Sequence, residues 1–528
     1  MNSDQIARIE NQIDLEFSDS LLNGIGYSQS LWTVLSVMED KHLKMTQIKP
    51  LEFEYQHAQI DTLMNALTHP IRCIYKSNDQ APGSIIHDVI DDHYGWAHEW
   101  IEKAVQYNNF HTIFPLYWKG KISIEIDGNN INADDWRSEE PRYEVYNRLF
   151  RKDGDKSESI LDPSKAVESL IGHFQVRKNR FQLNLTPKLV KTLVNIYADY
   201  TQSRYKIPDN WKCCHFEFGD FKKVYTTIQA IMFGRFICRS MLAMNGLPGL
   251  GYSDAVWVLP KLELGNRLSR YSGIEKVKVK KIIEYLTFGS EDIRNPDVAI
   301  QPIIDLRNGL LALSPFIFLH SNAERNLCVL LNQISEEKVK YAKLTQQKEY
   351  VLKGEIIDEV KSLGYRVESG NLIDTDLDFA VIDDENKLCI AFELKWFIEP
   401  AEIRESLDRS KELEKGIEQA KKFSDKFLNK DKQLISDVLK IDGDYEFVSA
   451  VGSRNWIGSF YVQSESIPII KIKHFIEELK ERGNLESTVR WLQHRDYLPK
   501  ESVDYEIVDV PLRFGEWQSK WYGIRPIV

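Results

Sequence analysis

The sequence predicts a mixed α/β (α+β) protein with a large, mainly helical N-terminal region and an α/β module near its C-terminal end. Apolar residues recur at helical spacing through much of 165–335, including an apolar helix at 225–244. Beyond residue 353, short apolar runs that favour strands alternate with helical stretches. The composition is 43% hydrophobic and 28% charged, which is typical of a globular chain and argues against disorder.

Changes in pattern along the chain predict five segments. They are a mixed α/β domain at 1–150, a mainly helical domain at 165–335, a helical connector at 336–352, an α/β module at 353–484 and a tail at 485–528. The first boundary rests on the polar stretch 151–164. The second domain should contain a β-hairpin, because the apolar runs 298–306 and 310–319 are joined by an Asn-Gly pair.

The C-terminal module has a regular order of elements. The patterns predict a helix at 355–363, strands at 365–367, 377–382 and 388–397, a helix at 401–427, strands at 445–451 and 467–472, and a helix at 474–480. Asp378 lies inside the second strand, and Glu393 and Lys395 lie inside the third. The two-residue period of a strand places Glu393 and Lys395 on one face.

Charged groups inside apolar strands are costly unless they have partners, and a divalent cation is one such partner. Two carboxylates and a backbone carbonyl form a hard oxygen site that suits Mg²⁺. Asp378, followed fifteen residues later by Glu393-Leu394-Lys395, resembles the motif of the PD-(D/E)xK (restriction-endonuclease-like) nuclease superfamily, over about 345–480. The predicted order of elements is also similar to the αβββαβ core of that superfamily.

The resemblance implies roles for individual residues. Asp378, Glu393 and the carbonyl of Leu394 would bind Mg²⁺ or Mn²⁺, and Lys395 would position the attacking water. Such enzymes often take a further glutamate from the preceding helix, which is expected to be Glu355, with Glu359 as the alternative.

Some members carry Gln-x-x-x-Tyr on the helix after the lysine. Gln419 matches the glutamine and should contact the substrate or the lysine, whereas Phe423 replaces the tyrosine.

An acid-x-Lys triplet alone has little specificity. The chain contains six further copies, which begin at Glu39, Asp220, Glu336, Glu359, Glu385 and Glu478. Only the Glu393 copy is embedded in an apolar strand. The alternative interpretation is a structural ion pair on a strand, without metal.

A second candidate for nucleic-acid contact is the Lys-Val alternation at 275–281. It predicts a strand that presents Lys276, Lys278 and Lys280 either to phosphates or to solvent as a protected edge.

The net charge of −11 excludes a histone-like protein that coats nucleic acid through bulk positive charge. The resemblance implies a Mg²⁺-dependent endonuclease that hydrolyses DNA, plausibly in prokaryotic anti-phage defence or restriction. The alternatives are an RNA-cleaving nuclease and a non-catalytic nucleic-acid-binding or assembly protein with a degenerate nuclease fold. An acidic nuclease should need its N-terminal region, homo-oligomerisation or a partner subunit to engage its target.

Other features concern compartment and cofactors. The six cysteines are scattered without a CxxC pair, and no signal peptide or membrane span is recognisable, which together predict a cytoplasmic protein with reduced thiols. The pattern GxxxxGK[ST] is absent from the sequence, so we expect no nucleotide bound by a P-loop.

Overall fold

A computed structural model gives the fold. It describes residues 3–51, 53–77, 82–133, 141–149, 163–177, 180–201, 207–244, 254–396, 403–458, 462 and 464–527. Helices and strands are both abundant in these residues, which confirms the predicted mixed class.

Seventeen α-helices lie in the described part of the chain, besides a short 3-10 helix at Leu21–Gly24 and π-helices at Lys44–Ile48 and Gln433–Leu439. They are α1 (Ser3–Ser18), α2 (Tyr27–Leu43), α3 (Phe53–Lys76), α4 (Asp91–His111), α5 (Ile113–Trp118), α6 (Arg142–Leu149), α7 (Pro163–Leu170), α8 (Pro187–Thr201), α9 (Phe218–Met244), α10 (Lys261–Ser272), α11 (Lys276–Leu286), α12 (Pro315–His320), α13 (Ala323–Gln333), α14 (Ser335–Ser362), α15 (Ile403–Leu428), α16 (Ile472–Arg482) and α17 (Leu485–Gln493).

Fourteen strands accompany them in the same residues. They are β1 (Ile124–Asp127), β2 (Asn130–Ala133), β3 (Phe174–Arg177), β4 (Arg180–Leu183), β5 (Trp257–Pro260), β6 (Ile303–Asp305), β7 (Leu310–Leu313), β8 (Arg366–Asn371), β9 (Asp376–Asp383), β10 (Leu388–Lys395), β11 (Glu446–Ser453), β12 (Ile469–Lys471), β13 (Tyr505–Phe514) and β14 (Trp517–Pro526).

The chain forms two compact units that do not follow the predicted segments. The first unit comprises residues 1–111, 157–342 and 513–516, and the second comprises 112–156, 343–512 and 517–528. Strand β14 pairs with β2 in the order β1-β2-β14-β13, so the C-terminal strands join a hairpin from the first third of the chain. Pairing between segments far apart in the sequence leaves no local pattern, so the sequence does not predict how the chain divides into these two units.

Helix α9 lies at the centre of the first unit and is buried along most of its length. Its two arginines are accommodated by carbonyl groups. Arg235 donates to the carbonyl of Asp254 over 2.7 Å, and Arg239 donates to that of Glu39 over 3.0 Å. The predicted apolar helix at 225–244 therefore belongs to the core, because its charged residues have hydrogen-bond partners.

The predicted hairpin of the first unit is present but shorter than expected. Strands β6 and β7 are antiparallel, and β5 extends them to a three-stranded sheet. The second apolar run ends as a strand at Leu313, because Ser314 caps the following helix α12 by accepting the N–H of Ile317. Pro315 stands at the first position of that helix, where proline is favoured.

The strand predicted at 275–281 is wrong, since these residues begin helix α11. Its buried residues are Val279, Ile282, Ile283, Tyr285 and Leu286, a helical spacing that continues past the Lys-Val alternation. The helical spacing of these apolar residues therefore determines the structure of the segment, and the short Lys-Val alternation does not.

The second unit contains a five-stranded sheet in the order β12-β11-β10-β9-β8. Strands β8, β9 and β10 are antiparallel, whereas β10, β11 and β12 run parallel. The crossover between β10 and β11 includes helix α15, which packs against both strands. From residue 353 to residue 482 the α-helices and strands follow the predicted order, and a π-helix that was not predicted, Gln433–Leu439, lies between α15 and β11. Helix α17, in the predicted tail, was not predicted either.

Neighbouring residues of the central strands enter two different hydrophobic cores. Phe379 and Phe392 belong to one core, which also contains residues of α14, α16 and α17. Ala380 and Ala391 belong to the other, together with Phe423 of α15. Asp378 lies two residues before Ala380 on β9, and Glu393 lies two residues after Ala391 on β10. Because side chains alternate between the two faces of a strand, both carboxylates lie on the same face of the sheet as these alanines.

Helix α14 joins the predicted helical connector at 336–352 and the predicted helix at 355–363 into one helix. It continues without interruption through Gly354, where the sequence indicates the start of a short helix. Leu352, Ile356 and Val360 are buried in the first core of the second unit at helical spacing. Their packing outweighs the roughly 1 kcal/mol by which glycine disfavours a helix interior.

Candidate active site

The candidate site lies where strands β9 and β10 stop pairing. Their antiparallel ladder extends to the pair Phe379–Phe392. Beyond it, the side chain of Asp378 takes the place of a strand partner, and its Oδ2 accepts the N–H of Leu394 over 2.7 Å. The backbone N–H and C=O of one residue point to the same side of a strand, so the carbonyl of Leu394 also faces the β9 side.

Glu393 and Lys395 form a contact on the face covered by α15. Lys395 Nζ donates to Glu393 Oε1 over 2.8 Å and to Gln419 Oε1 over 3.1 Å. Helix α15 comes close because it has glycine at 416, where an added Cβ would lie 3.0 Å from Cε of Lys395. Asp378, Glu393, Lys395 and Gln419 are therefore brought together.

The two carboxylates are held in an environment that disfavours their charge. Glu393 is only 4% exposed, and burial raises its pKa to about 7, against the lowering effect of Lys395. The neighbouring charge of Asp378 raises the pKa of Glu393 further. Burial also raises the pKa of Asp378, although the N–H of Leu394 opposes this effect. The pair thus carries more negative charge than its surroundings neutralise.

This donor set suits a hard divalent cation. Two carboxylates from adjacent strands and the carbonyl of Leu394 are oxygen ligands of the kind that Mg²⁺ prefers. A cation would favour the charged form of both carboxylates, against the burial that raises their pKa values. The described residues contain no cluster of three or more His, Cys, Asp or Glu side chains arranged to hold a metal. Water and substrate oxygens would have to complete the coordination, as is usual for Mg²⁺.

The structure does not bring the expected helical glutamates to this cluster. Glu355 lies on an exposed side of α14, and its Oε2 is 3.9 Å from Arg454. Glu359 forms an ion pair with Lys480.

Glu349 and Lys353 are the residues of α14 whose charges act on the cluster. Glu349 raises the pKa of Glu393, and Lys353 lowers the pKa of Asp378. The sequence places Glu349 in the helical connector ahead of the α/β module and begins the first helix of the module at 355, so neither residue was expected at the site. The spacing of Glu349 and Lys353, one helical turn apart, was the available signal.

Phe423, which replaces the tyrosine of the sub-motif, is fully buried in the second core beside Ala391. It has a packing role and does not reach toward Lys395 with a polar group. Gln419, one turn earlier, is the residue of this pair that contacts the lysine.

A further cation lies next to Lys395 at the ends of the parallel strands. The backbone N–H of Arg454 donates to the carbonyl of Lys395 over 3.0 Å. Its guanidinium group lies 4.0 Å from the ring centre of Trp396, the residue that follows Lys395. A stacked guanidinium is held in place, and its planar set of donors matches the geometry of phosphate oxygens.

The three lysines at 276–280 lie in the first unit and have different surroundings. Lys278 forms an ion pair with Asp220 over 2.8 Å. Lys276 and Lys280, one turn apart on α11, line a surface pocket together with Lys261 of α10. The helix therefore presents two of the three lysines together and turns Lys278 toward an acidic partner.

Comparisons of the chain with protein-family models, with curated proteins and with solved structures give no match. The function is therefore inferred from the geometry of the site. The six cysteines are free thiols. Within the described residues, every helix is too short or too polar to cross a bilayer.

Proposed function

We propose that the second unit is a metal-dependent nuclease domain similar to those of the PD-(D/E)xK superfamily, and that it hydrolyses phosphodiester bonds in DNA. The observation that carries the proposal is the cluster of buried Glu393 with half-buried Asp378 and Lys395, built on two adjacent strands and contacted by Gln419. A structural ion pair needs one acid and one base. This cluster places two acids beside one lysine, an excess of carboxylate that supports a metal site over a simple ion pair.

Each residue of the site would have its own role in the reaction. Asp378, Glu393 and the Leu394 carbonyl would hold Mg²⁺ or Mn²⁺. When bound, such a cation supplies charge stabilisation to the phosphate under attack and lowers the pKa of water. Lys395, which donates to Glu393 and Gln419, would orient the attacking water, and Gln419 would hold the lysine ammonium. Arg454 would bind a phosphate oxygen of the substrate.

Glu349 and Lys353 complete the proposal. Their charges act on Glu393 and Asp378 from α14, so Glu349 takes the part that the resemblance assigned to Glu355. The role of the protein in restriction or anti-phage defence, and its need for an oligomer or partner subunit, remain part of this proposal.

The test is cleavage of supercoiled plasmid and of labelled single-stranded RNA with Mg²⁺, with Mn²⁺ and with EDTA. We expect plasmid cleavage with either metal and none with EDTA. Asp378→Asn and Lys395→Ala should abolish it. The matched controls are Glu385→Gln and Lys387→Ala, from an exposed acid-x-Lys copy in the β9–β10 turn, and both should cleave normally.

Cleavage that persists in Asp378→Asn and Lys395→Ala would overturn the site. Cleavage of RNA but not plasmid would change the substrate class. Binding of nucleic acid without cleavage under any metal would favour the non-catalytic alternative.

A further inference from the structure

A surface pocket in the first unit lies between helices α10 and α11 and has a volume of about 380 Å³. Helix α10 contributes Lys261, Leu262, Gly265 and Asn266. Helix α11 contributes Lys276, Lys280 and Ile283. Its volume lies within the range of about 300–1,000 Å³ that is usual for small-molecule sites.

Positive charge is concentrated around this pocket although the chain as a whole is acidic. Residues 261–286 contain seven basic and three acidic residues, a balance of +4 in a chain of net charge −11. Lys280 is 3.9 Å from Glu284. The ammonium groups of Lys261 and Lys276 have no ion-pair partner among the described residues. Three lysines that surround one cavity, without an acidic lining residue, favour an anionic ligand.

The surface that lines the pocket is almost entirely apolar, so the lysine ammonium groups and the amide of Asn266 lie at its margin. Ile283 is buried and Leu262 is 78% exposed, so the aliphatic side chains form the floor and the rim. Gly265 leaves the space open, because an added Cβ there would meet only Ile283 Cδ1, at 3.9 Å. The side chain of Asn266 makes no hydrogen bond with another described residue. An amide both donates and accepts, which is what the edge of a nucleobase requires.

We propose that this pocket binds a nucleotide, with the base between Leu262 and Ile283, its edge on Asn266, and its phosphates on Lys261, Lys276 and Lys280. The nucleotide can be a free nucleoside polyphosphate or a unit of a single strand, since both present the same chemistry. A base in a duplex is stacked and paired and does not fit this description. The site is independent of the proposed nuclease activity.

Binding is measured in EDTA, so that cleavage does not intervene. ATP is titrated by calorimetry, and a short fluorescein-labelled oligodeoxyadenylate is followed by anisotropy. The test variant is Lys276→Glu/Lys280→Glu. Its matched control, Lys188→Glu/Lys191→Glu, makes the same charge change on exposed lysines of α8. We expect about a tenfold or greater loss of affinity in the test variant, corresponding to about 1.4 kcal/mol, and little change in the control.

A second pair of variants tests the cavity itself. Gly265→Leu should fill it and abolish binding, whereas Gly265→Ala adds a methyl group that has room and should bind. Binding of ATP alone would identify a free nucleotide as the ligand, and binding of the oligonucleotide alone would identify a single strand. The proposal is overturned if neither probe binds, if the α8 control loses as much affinity, or if Gly265→Leu binds like the unchanged protein.

Discussion

Lys395 Nζ lies 2.8 Å from Glu393 Oε1, and both side chains project from strand β10 toward helix α15. The lysine neutralises one buried carboxylate, while Asp378 adds a second negative charge nearby. This imbalance leads to predictions about stability, metal binding and activity that can be tested separately.

The stability of the metal-free protein should depend on the protonation of Glu393. Its pKa is about 7 in the folded protein against an ordinary value of 4.5, so between these pH values the folded state holds a proton that the unfolded state has lost. The free energy of unfolding should therefore fall by roughly 3 kcal/mol as pH rises through this window. Glu393→Gln should remove that fall, as measured by urea denaturation in EDTA across the window.

Glu39, whose pKa burial also raises to about 7, contributes a fall of the same direction in the first unit. The quantity to compare is therefore the difference in the free energy of unfolding between Glu393→Gln and the unchanged protein at each pH. Exposed Glu385→Gln is the control and should leave the pH dependence as it is. Parallel curves for Glu393→Gln and the unchanged protein would contradict the prediction.

A divalent cation should stabilise the protein if the two carboxylates bind it. At a free Mg²⁺ or Mn²⁺ concentration of about 100 times the dissociation constant, the expected gain is about 2.7 kcal/mol. Thermal melting above pH 7, with metal and with EDTA, should show this gain as a higher Tm. Asp378→Asn should lose the gain and Glu385→Gln should keep it. An equal rise of Tm in both variants would mean that the metal binds elsewhere.

Glu349 and Glu355 lie on the same helix but should differ in importance. Glu349→Gln should weaken cleavage, because it removes negative charge that would attract the metal ion, and it should lower the pKa of Glu393, because that charge raises it. Glu355→Gln should leave the pKa of Glu393 unchanged and should reduce cleavage less than Glu349→Gln, since the Glu355 carboxylate is exposed and lies near Arg454 and not near the two carboxylates. Initial cleavage rates and the pH dependence of unfolding give the two readouts. The reverse ranking of the two variants would restore the assignment made from the sequence.

Gly416→Ala should reduce the cleavage rate without reducing the stability of the protein. Alanine favours a helix interior over glycine by up to about 1 kcal/mol, but the new Cβ would lie 3.0 Å from Lys395 Cε and displace the lysine. We expect unchanged or slightly higher stability with a reduced cleavage rate.

Gly354→Ala is the control for this substitution. A Cβ at Gly354 has no neighbour within 4 Å, so stability should rise and cleavage should stay the same. Full activity in Gly416→Ala would show that the position of Lys395 is not limiting.

Much of the second unit was predictable because its signals are local. Strands β9 and β10 are short apolar runs on either side of a polar turn. A charged residue inside such a run can be recognised as a candidate site residue without knowledge of the fold. The pairing of Asp378 with the amide of Leu394 follows once those two strands are adjacent. The part proposed for Glu349 did not follow, because the sequence places it in a connector separate from the first helix of the module, and tertiary packing joins the two into one helix.

The sequence by itself determined the mixed class, the order of α-helices and strands from 353 to 482 and the candidate residues Asp378, Glu393, Lys395 and Gln419. Tertiary structure alone decided which distant segments share a unit, why 276–286 is helical, and which lysines line one pocket. The physical reason is the range of the interactions involved. Side-chain period and turn chemistry act between near neighbours in the chain, whereas strand pairing, core burial and charge coupling act between residues that only folding brings together.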